Sequence, residues 1–238
     1  MDAAFDSKEN VRQTVWDALQ DQKIARFPFP PHDRIPNFKD ASAAAEALLD
    51  HEFFRNVKRI KVNPDAPQRY VREGALKRGI TVYMPTPRLK GGFKKFDPAE
   101  IPEENYSDAA SLSKGEQFAQ EVSLDELPEM DVIVAGSVAV TQTGKRCGKG
   151  HGYSDLEYAI LRELGHPAVP VVSTVHDIQV VNDFPRDEHD VPLSLVATPT
   201  QIIQVDDPLP APKGIQWYIL SENDLKDMPI LAELKKRS

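Results

Sequence analysis

The sequence has a single cysteine, Cys147, among its 238 residues. One cysteine excludes an intramolecular disulfide framework and any metal site built from several thiolates. The six histidines also lack the H-E-x-x-H spacing that places two imidazoles on one helix face. We therefore expect a protein of the reducing cytoplasm, without a cysteine-based zinc site.

Long apolar runs and long basic runs are missing as well. The longest apolar stretch, at 131–140, falls far short of the roughly 18 residues that span a bilayer, and the first ten residues are acidic and polar, unlike a signal peptide. Lysine and arginine number 29 against 37 aspartates and glutamates, for a net charge of −8. We expect neither a membrane nor a nucleic acid as partner; the oligomeric state is left open.

The chain does contain an alternation of helix-like and strand-like segments. Helices are predicted at 7–22, 41–49, 65–78, 153–164 and 222–236, and strands at 57–62, 80–84, 131–135, 169–175, 193–198 and 215–220. The polar stretch 97–127 is predicted to be loop with short helices. Such alternation predicts a mostly parallel sheet with helices on both faces, formed by residues 1–238 as one domain.

A glycine-rich, basic segment follows the buried strand at 131–135. It carries four glycines and three cations, namely Gly144, Gly148, Gly150, Gly152, Lys145, Arg146 and Lys149. Glycines let backbone N–H groups approach a ligand, and a helix is predicted to begin directly afterwards, so the loop 144–155 has the features of an anion site. The spacing matches neither a P-loop nor a dinucleotide fingerprint. A flexible surface loop with solvated lysines is the alternative.

Four charged residues could complete this site. Asp155 ends the loop, and a carboxylate beside a phosphate site commonly holds Mg²⁺; an aspartate that only complements the helix dipole is the equal alternative. Asp190 is a second candidate ligand, with an ordinary loop residue as the alternative. Lys8 and Arg12 lie four residues apart on the first predicted helix, so they share one face. They could hold the outer phosphates or belong to a solvated face.

Three other groups of residues are candidate catalytic sites, and each has weaker support than the glycine-rich loop. Ser137 follows the buried strand without a G-x-S-x-G elbow. His176 and Asp177 are more typical of a structural hydrogen bond than of a catalytic pair. The thiol of Cys147 lies between cations that would lower its pKa, but a packed small residue is the simpler interpretation.

The segment 144–156, GKRCGKGHGYSDL, resembles the signature G-x-R-L-G-x-G-x-G-Y-Y-D-R of the 5-formyltetrahydrofolate cyclo-ligase family. Further segments are similar to one branch of it, the methenyltetrahydrofolate synthase domain-containing proteins. They are HDRIPNFK (32–39), MPTPRL (84–89), DVIVAGSVAV (131–140), GKGHGYSDLEYA (148–159), VHDIQVV (175–181), EHDVPLSLVATPT (188–200) and GIQW (214–217). The resemblance implies a three-layer α/β/α sandwich like that of ribose-phosphate isomerases and CoA transferases.

The resemblance also implies an activity and a set of site residues. The family converts 5-formyltetrahydrofolate to 5,10-methenyltetrahydrofolate with ATP and Mg²⁺, in one-carbon metabolism. Its ATP-contacting positions fall on Lys8, Arg12, Arg146, Cys147, Gly148, Lys149, Gly150, His151, Gly152, Tyr153 and Ser154. Its magnesium positions fall on Asp155 and Asp190, and substrate positions on Asp65 and Tyr153. Arg146 and Lys149 would stabilise charge on the transferred phosphoryl group.

Three positions of the signature differ in this chain. Ser154 replaces the second tyrosine, Leu156 the arginine and Cys147 the leucine. The phosphate-binding glycines are kept, while the side expected to touch folate is altered. Two alternatives to the cyclo-ligase therefore stand: an ATP-using enzyme of the same fold acting on another small substrate, such as a thiamine-related compound, and a non-enzymatic regulatory or RNA-associated protein.

Overall fold

The computed structural model describes residues 4–236. Its helices are α1 (Lys8–Asp21), α2 (Ala41–Asp50), α3 (Arg69–Lys77), α4 (Tyr106–Ala109), α5 (Tyr153–Glu163), α6 (Glu222–Asp227) and α7 (Pro229–Lys235). Its strands are β1 (Ala25–Arg26), β2 (Asn37–Phe38), β3 (Arg59–Val62), β4 (Thr81–Pro85), β5 (Phe93–Phe96), β6 (Gln120–Val122), β7 (Val132–Val134), β8 (Ala139–Thr141), β9 (Arg146–Cys147), β10 (Val171–Thr174), β11 (Val180–Val181), β12 (Leu195–Ala197) and β13 (Ile202–Gln204).

An eight-stranded sheet in the order β13-β12-β10-β7-β3-β4-β5-β6 forms the centre of the molecule. The five inner strands, from β12 to β4, run parallel, and the outer strands β13, β5 and β6 pair antiparallel. The predicted mixed α/β class with a mostly parallel sheet is confirmed. Since ligands of such sheets gather at the carboxyl ends of the parallel strands, this edge is where a site is expected.

Strand β7 shows why helices cover both faces of the sheet. Its side chains alternate between the two faces, as in any strand. Ile133 packs with α5 and α7 in one hydrophobic cluster. Val132 and Val134 pack with α2 and α3 in another cluster. A parallel sheet buried on both faces reads as a continuous apolar run, and the predicted three layers follow from it.

Helix α1 lies outside these layers, against the small sheet β11-β8-β9. Ser7 caps it by accepting a hydrogen bond from the Asn10 N–H, and Val11, Val15 and Leu19 form its buried stripe. The predicted helix is confirmed within a residue at each end. No helix within residues 4–236 is long and apolar enough to cross a membrane.

Several predicted elements were wrong in detail. The segment 215–220 is not a strand but a loop with one 3-10 turn at Trp217–Ile219, because its backbone bonds Glu163 rather than a neighbouring strand. The terminal helix breaks at Met228, since Pro229 cannot continue the hydrogen-bond ladder and starts α7 instead. The short antiparallel strands β5, β6 and β13 were missed, because three or four residues are too few to show a clear alternation of apolar and polar side chains.

Candidate functional site

The glycine-rich segment forms two structures instead of one continuous loop. Strands β8 and β9 pair antiparallel, and Gly144 lies in the turn between them with a φ of +83°. A Cβ there would lie 2.4 Å from the Leu193 carbonyl oxygen, so this glycine serves packing. Lys145 is held at the hairpin by Asp183, 2.6 Å away. The predicted anion site 144–155 is corrected accordingly: Gly144 and Lys145 belong to the hairpin, and the segment 148–155 remains the candidate.

The backbone of Gly148–Asp155 presents free hydrogen-bond donors. Within the described residues 4–236, no N–H of this stretch donates to a protein acceptor, and the first helical bond of α5 comes from Leu156. Gly150 and Gly152 have φ values of +109° and +68°, in the left-handed region that glycine favours. Unsatisfied N–H groups at a helix N-terminus, together with its dipole, favour an anion.

Two predicted cations connect this loop to other parts of the chain. Arg12 donates from Nε to the Gly148 carbonyl oxygen over 2.8 Å, so α1 holds the loop in place. Lys149 is part-exposed, and its Nζ lies 3.6 Å from the Asp65 carboxylate. The structure thus brings together Arg12, Lys149 and Asp65, which are far apart in sequence.

Arg146 lies beneath the loop and is only 5% exposed. It donates over 2.8 Å to the Gly136 carbonyl oxygen and over 2.8 Å to Asp155. Burial alone would lower the pKa of this guanidinium, but the Asp155 carboxylate more than offsets that and raises the pKa above its ordinary value. Arg146 therefore stays charged and supports the loop from below.

One hydrogen bond links the surroundings of the two predicted magnesium ligands. The Val191 N–H, directly after Asp190, donates to Asp155 over 2.9 Å. Asp190 accepts from the Asp187 N–H over 2.8 Å and forms an ion pair with Lys8. Its carboxylate also belongs to a cluster with Asp187 and His189, whose ligand atoms lie within 4.8 Å of one another. Sequence reasoning missed these two residues, since neither belongs to a spaced motif.

Lys8 reaches this acidic cluster from the N-terminus of α1. Its Nζ lies 2.6 Å from Asp187 and also contacts Asp190. Burial would lower the pKa of Lys8, but its hydrogen bonds to both carboxylates raise that pKa above the ordinary value. The cation predicted to touch outer phosphates thus stands beside the predicted metal ligands.

A cleft of about 250 Å³ opens on the other side of the loop. Tyr153 lines it and stacks on His151, with ring centroids 5.9 Å apart and an interplanar angle of 3°. The remaining wall includes Ile35, Pro64, Asp65, Pro87 and Arg88. Apolar and ring side chains with a few polar groups are typical of a small-molecule site.

The floor of this cleft is a buried polar network that sequence reasoning did not find. Lys61, 1% exposed, lies 2.6 Å from Glu157, and its Nζ donates to Asn63 over 3.0 Å. Asn63 in turn donates to the Ser154 hydroxyl over 2.5 Å. Ser154, which departs from the family signature, is therefore tied to β3. Lys61, which lies between Ile60 and Val62 in the strand RIKV with no polar neighbour on either side, was the available signal, since an unpaired lysine is almost never fully buried.

Arg72 fixes the wall that carries Asn63 and Asp65. It donates from Nη1 to both carbonyl oxygens, over 2.9 and 3.2 Å, and from Nε to Ala110 over 3.0 Å. Burial lowers the pKa of this guanidinium to about 10, still far above neutrality. A charged, buried arginine thus holds the backbone at the end of β3.

Cys147 is packed rather than exposed. Its thiol is 1% exposed among α1 and β8 residues, and burial raises its pKa despite the nearby cations. The interpretation as a packed small residue is confirmed, and only the backbone of Cys147 can face a ligand at the loop.

Comparison with known proteins shows the family and the fold of this chain. A model of the 5-formyltetrahydrofolate cyclo-ligase family matches residues 5–199. Methenyltetrahydrofolate synthase domain-containing proteins of mouse (Mus musculus) and cattle (Bos taurus) are each 42% identical over 97% and 96% of this chain. The chain spans 64% and 62% of their lengths. The solved structure of Aquifex aeolicus 5,10-methenyltetrahydrofolate synthetase has the same fold, with a TM-score of 0.54 and 18% identity, covering 84% of this chain and 93% of its own.

Proposed function

Because this chain belongs to the 5-formyltetrahydrofolate cyclo-ligase family, we propose that it uses ATP to convert 5-formyltetrahydrofolate into 5,10-methenyltetrahydrofolate. The observation that carries the proposal is the row of free N–H donors at Gly148–Asp155, which borders the open cleft lined by Tyr153. A phosphate donor on the loop and an acceptor in the cleft would then meet at Tyr153.

The loop is proposed to bind the ATP phosphates. Its N–H groups and the dipole of α5 favour anions, and Lys149 supplies a mobile cation at the same place. Arg12 and Arg146 hold the loop in the binding conformation through Gly148 and Asp155. Preorganised donors of this kind stabilise charge that develops on a phosphoryl group without rearranging during the reaction.

Mg²⁺ is proposed to accompany the nucleotide, held by Asp155 and Asp190. Carboxylate oxygens are the ligands that Mg²⁺ prefers. Each aspartate already pairs with a cation in this structure, Arg146 and Lys8 respectively, so the ion would compete with these pairs for the carboxylate oxygens. When bound, the ion would neutralise charge on the phosphates. Lys8 would then exchange a carboxylate partner for a phosphate oxygen.

The cleft is proposed to bind the folate. Tyr153 and the proline walls offer flat apolar surfaces to a ring system, and Asp65 adds a carboxylate at the edge. In the reaction, the oxygen of the N5-formyl group takes the γ-phosphoryl group of ATP and ADP leaves. N10 then attacks the activated carbon, and phosphate leaves with the formyl oxygen. The protein contributes positioning and charge stabilisation.

The test is turnover of the pure protein with Mg-ATP and 5-formyltetrahydrofolate, followed by methenyl absorbance. We expect turnover, a fall of roughly 10²-fold in rate for Lys149→Ala, and an unchanged rate for Lys77→Ala. Lys77 is a matched control because it pairs with Glu73 on the exposed face of α3. Absence of product at high enzyme concentration would overturn the cyclo-ligase assignment.

A second candidate is an ATP-using enzyme of this fold with another small substrate. It is favoured by the floor of the cleft, where Ser154 replaces an aromatic residue of the family signature and bonds Asn63. A polar floor with the Lys61–Glu157 pair suits a ring with hydrogen-bonding edges. This candidate predicts that the protein binds Mg-ATP tightly, that Lys149→Ala weakens this binding, and that 5-formyltetrahydrofolate is not converted.

A further inference from the structure

A second cavity, of about 120 Å³, lies behind the first turn of α5. It shares His151, Gly152 and Asp155 with the cleft, so the two spaces flank the same loop. Its near wall is formed by Leu156, Ala159 and His189. Its far wall comes from the C-terminal segment (residues 205–236), through Pro212, Gly214, Gln216, Ile219, Leu220 and Asp224.

The far wall lies outside the part of the chain that the family model matches, which ends at residue 199. It is nevertheless a fixed part of the fold. Ile215, Met228, Leu231 and Leu234 are buried in the cluster that contains α5. The Ile215 N–H also donates to Glu163 over 3.1 Å, which ties the wall to the last turn of α5.

The cavity has the size and chemistry for one flat ring system. Its volume is well below the roughly 300 Å³ at which pockets for drug-sized ligands begin. Leu156, Ala159 and Leu220 provide apolar surface. The Gln216 amide provides a donor, and its Oε1, which accepts from the Tyr218 hydroxyl over 3.1 Å, keeps a second lone pair as acceptor. An amide of this kind pairs with the N6 amine and N7 of adenine, whereas guanine presents two acceptors along the same edge.

The cavity is also placed next to the anion loop. Gly152 belongs to both, and His189 lies in the cluster with Asp187 and Asp190 that Lys8 contacts. We propose that this second cavity binds the adenine ring of the nucleotide whose phosphates occupy Gly148–Gly152, so that the C-terminal segment selects ATP over other triphosphates. The inference rests on the proposed function for its phosphate site.

Binding measured by calorimetry on the full chain tests it, with Mg-ATP, Mg-GTP and inorganic tripolyphosphate as probes. We expect ATP to bind at least tenfold more tightly than GTP or tripolyphosphate. Gln216→Ala and Leu220→Ala should each weaken ATP about tenfold, which is about 1.4 kcal/mol, and leave tripolyphosphate affinity unchanged. Gln142→Ala, an exposed glutamine on the β8–β9 turn, is the matched control and should bind like wild type.

The outcomes separate this inference from the proposed function. The inference is contradicted if ATP and tripolyphosphate bind equally tightly, or if the preference for ATP is unchanged in both wall variants. Either result would show that the base binds elsewhere, without contradicting phosphate binding at the loop. If none of the three probes binds the wild-type chain, the proposed phosphate site is contradicted, and this inference is contradicted with it. Thermal unfolding of each variant confirms that a loss of binding is not a loss of fold.

Discussion

Arg146 and Asp155 form a part-buried ion pair of 2.8 Å that joins strand β9 to the first turn of α5. The pair closes the base of the loop Gly148–Gly152, so the ends of the loop are fixed before any ligand arrives. Asp155 has its other oxygen bonded to the Val191 N–H. One pair of residues thus couples the loop, the helix and the neighbourhood of Asp190.

Substitution of Arg146 should therefore cost much more stability than substitution of its neighbour. Arg146→Met leaves the Asp155 carboxylate without its cation, and breaking a buried pair costs roughly 3–5 kcal/mol. Lys145→Met removes a pair with Asp183 at the surface, worth about 1 kcal/mol or less. Urea unfolding of the two variants measures the difference. Equal losses would contradict the role assigned to Arg146.

The Lys61–Glu157 pair should behave as a unit. Glu157→Leu leaves the ammonium of Lys61 buried without its countercharge, which we expect to cost roughly 3–5 kcal/mol, while the double variant Lys61→Met/Glu157→Leu should regain most of it. Denaturant unfolding and a double-mutant cycle give the coupling. Lys77→Ala at the exposed i,i+4 pair with Glu73 serves as the control, at about 0.5 kcal/mol. Additive losses in the cycle would rule out a coupled pair.

Gly144 should tolerate no side chain. Gly144→Ala combines a left-handed backbone, which costs roughly 1–2 kcal/mol, with a Cβ 2.4 Å from the Leu193 oxygen, which adds roughly 1–3 kcal/mol of overpacking. Gly79→Ala has a similar φ of +72° but open space around the Cβ, so only the first cost applies. Thermal and urea unfolding compare them. The same loss at both positions would show that the Leu193 contact does not matter.

Acid should weaken one specific contact outside the site. Burial tends to raise the pKa of Asp177. The hydroxyls of Thr198 and Thr200, each 2.5 Å from the carboxylate, donate to it and lower the pKa by more than burial raises it, so the net shift is downward. A carboxylate with a lowered pKa contributes stability that is full above its unfolded pKa of about 3.9. That stability is lost as pH falls through the folded pKa.

Removing one hydroxyl tests this dependence. Thr200→Val should lower the free energy of unfolding at pH near 7, and its difference from wild type should shrink below about pH 4 as Asp177 becomes protonated. Urea unfolding at a series of pH values measures both. A difference that stays constant down to about pH 3 would mean that Asp177 does not control it.

The sequence alone was enough to predict those elements whose signals lie within a few residues of one another. Ser7 and the stripe from Val11 to Leu19 fix α1, because a cap and a 3.6-residue period are local properties. The apolar run at β7 marks a strand buried on both faces. The glycines at 150 and 152 mark a backbone with positive φ beside a helix start. The alternation of such elements leads to the layered sheet, and the motif at 144–156 to the family.

Only the tertiary structure decided which charged residues meet. Lys8 pairs with Asp187 across 179 positions of sequence, and Asn63 bonds Ser154 across 91. The tertiary structure also shows that the glycines have different roles. A Cβ at Gly144 would lie 2.4 Å from the Leu193 carbonyl oxygen, so Gly144 is required for packing, while the glycines of Gly148–Gly152 lie at the candidate site. Periodicity and propensity act over a few residues, whereas these contacts depend on how strands order in a sheet and on which helix ends they bring together.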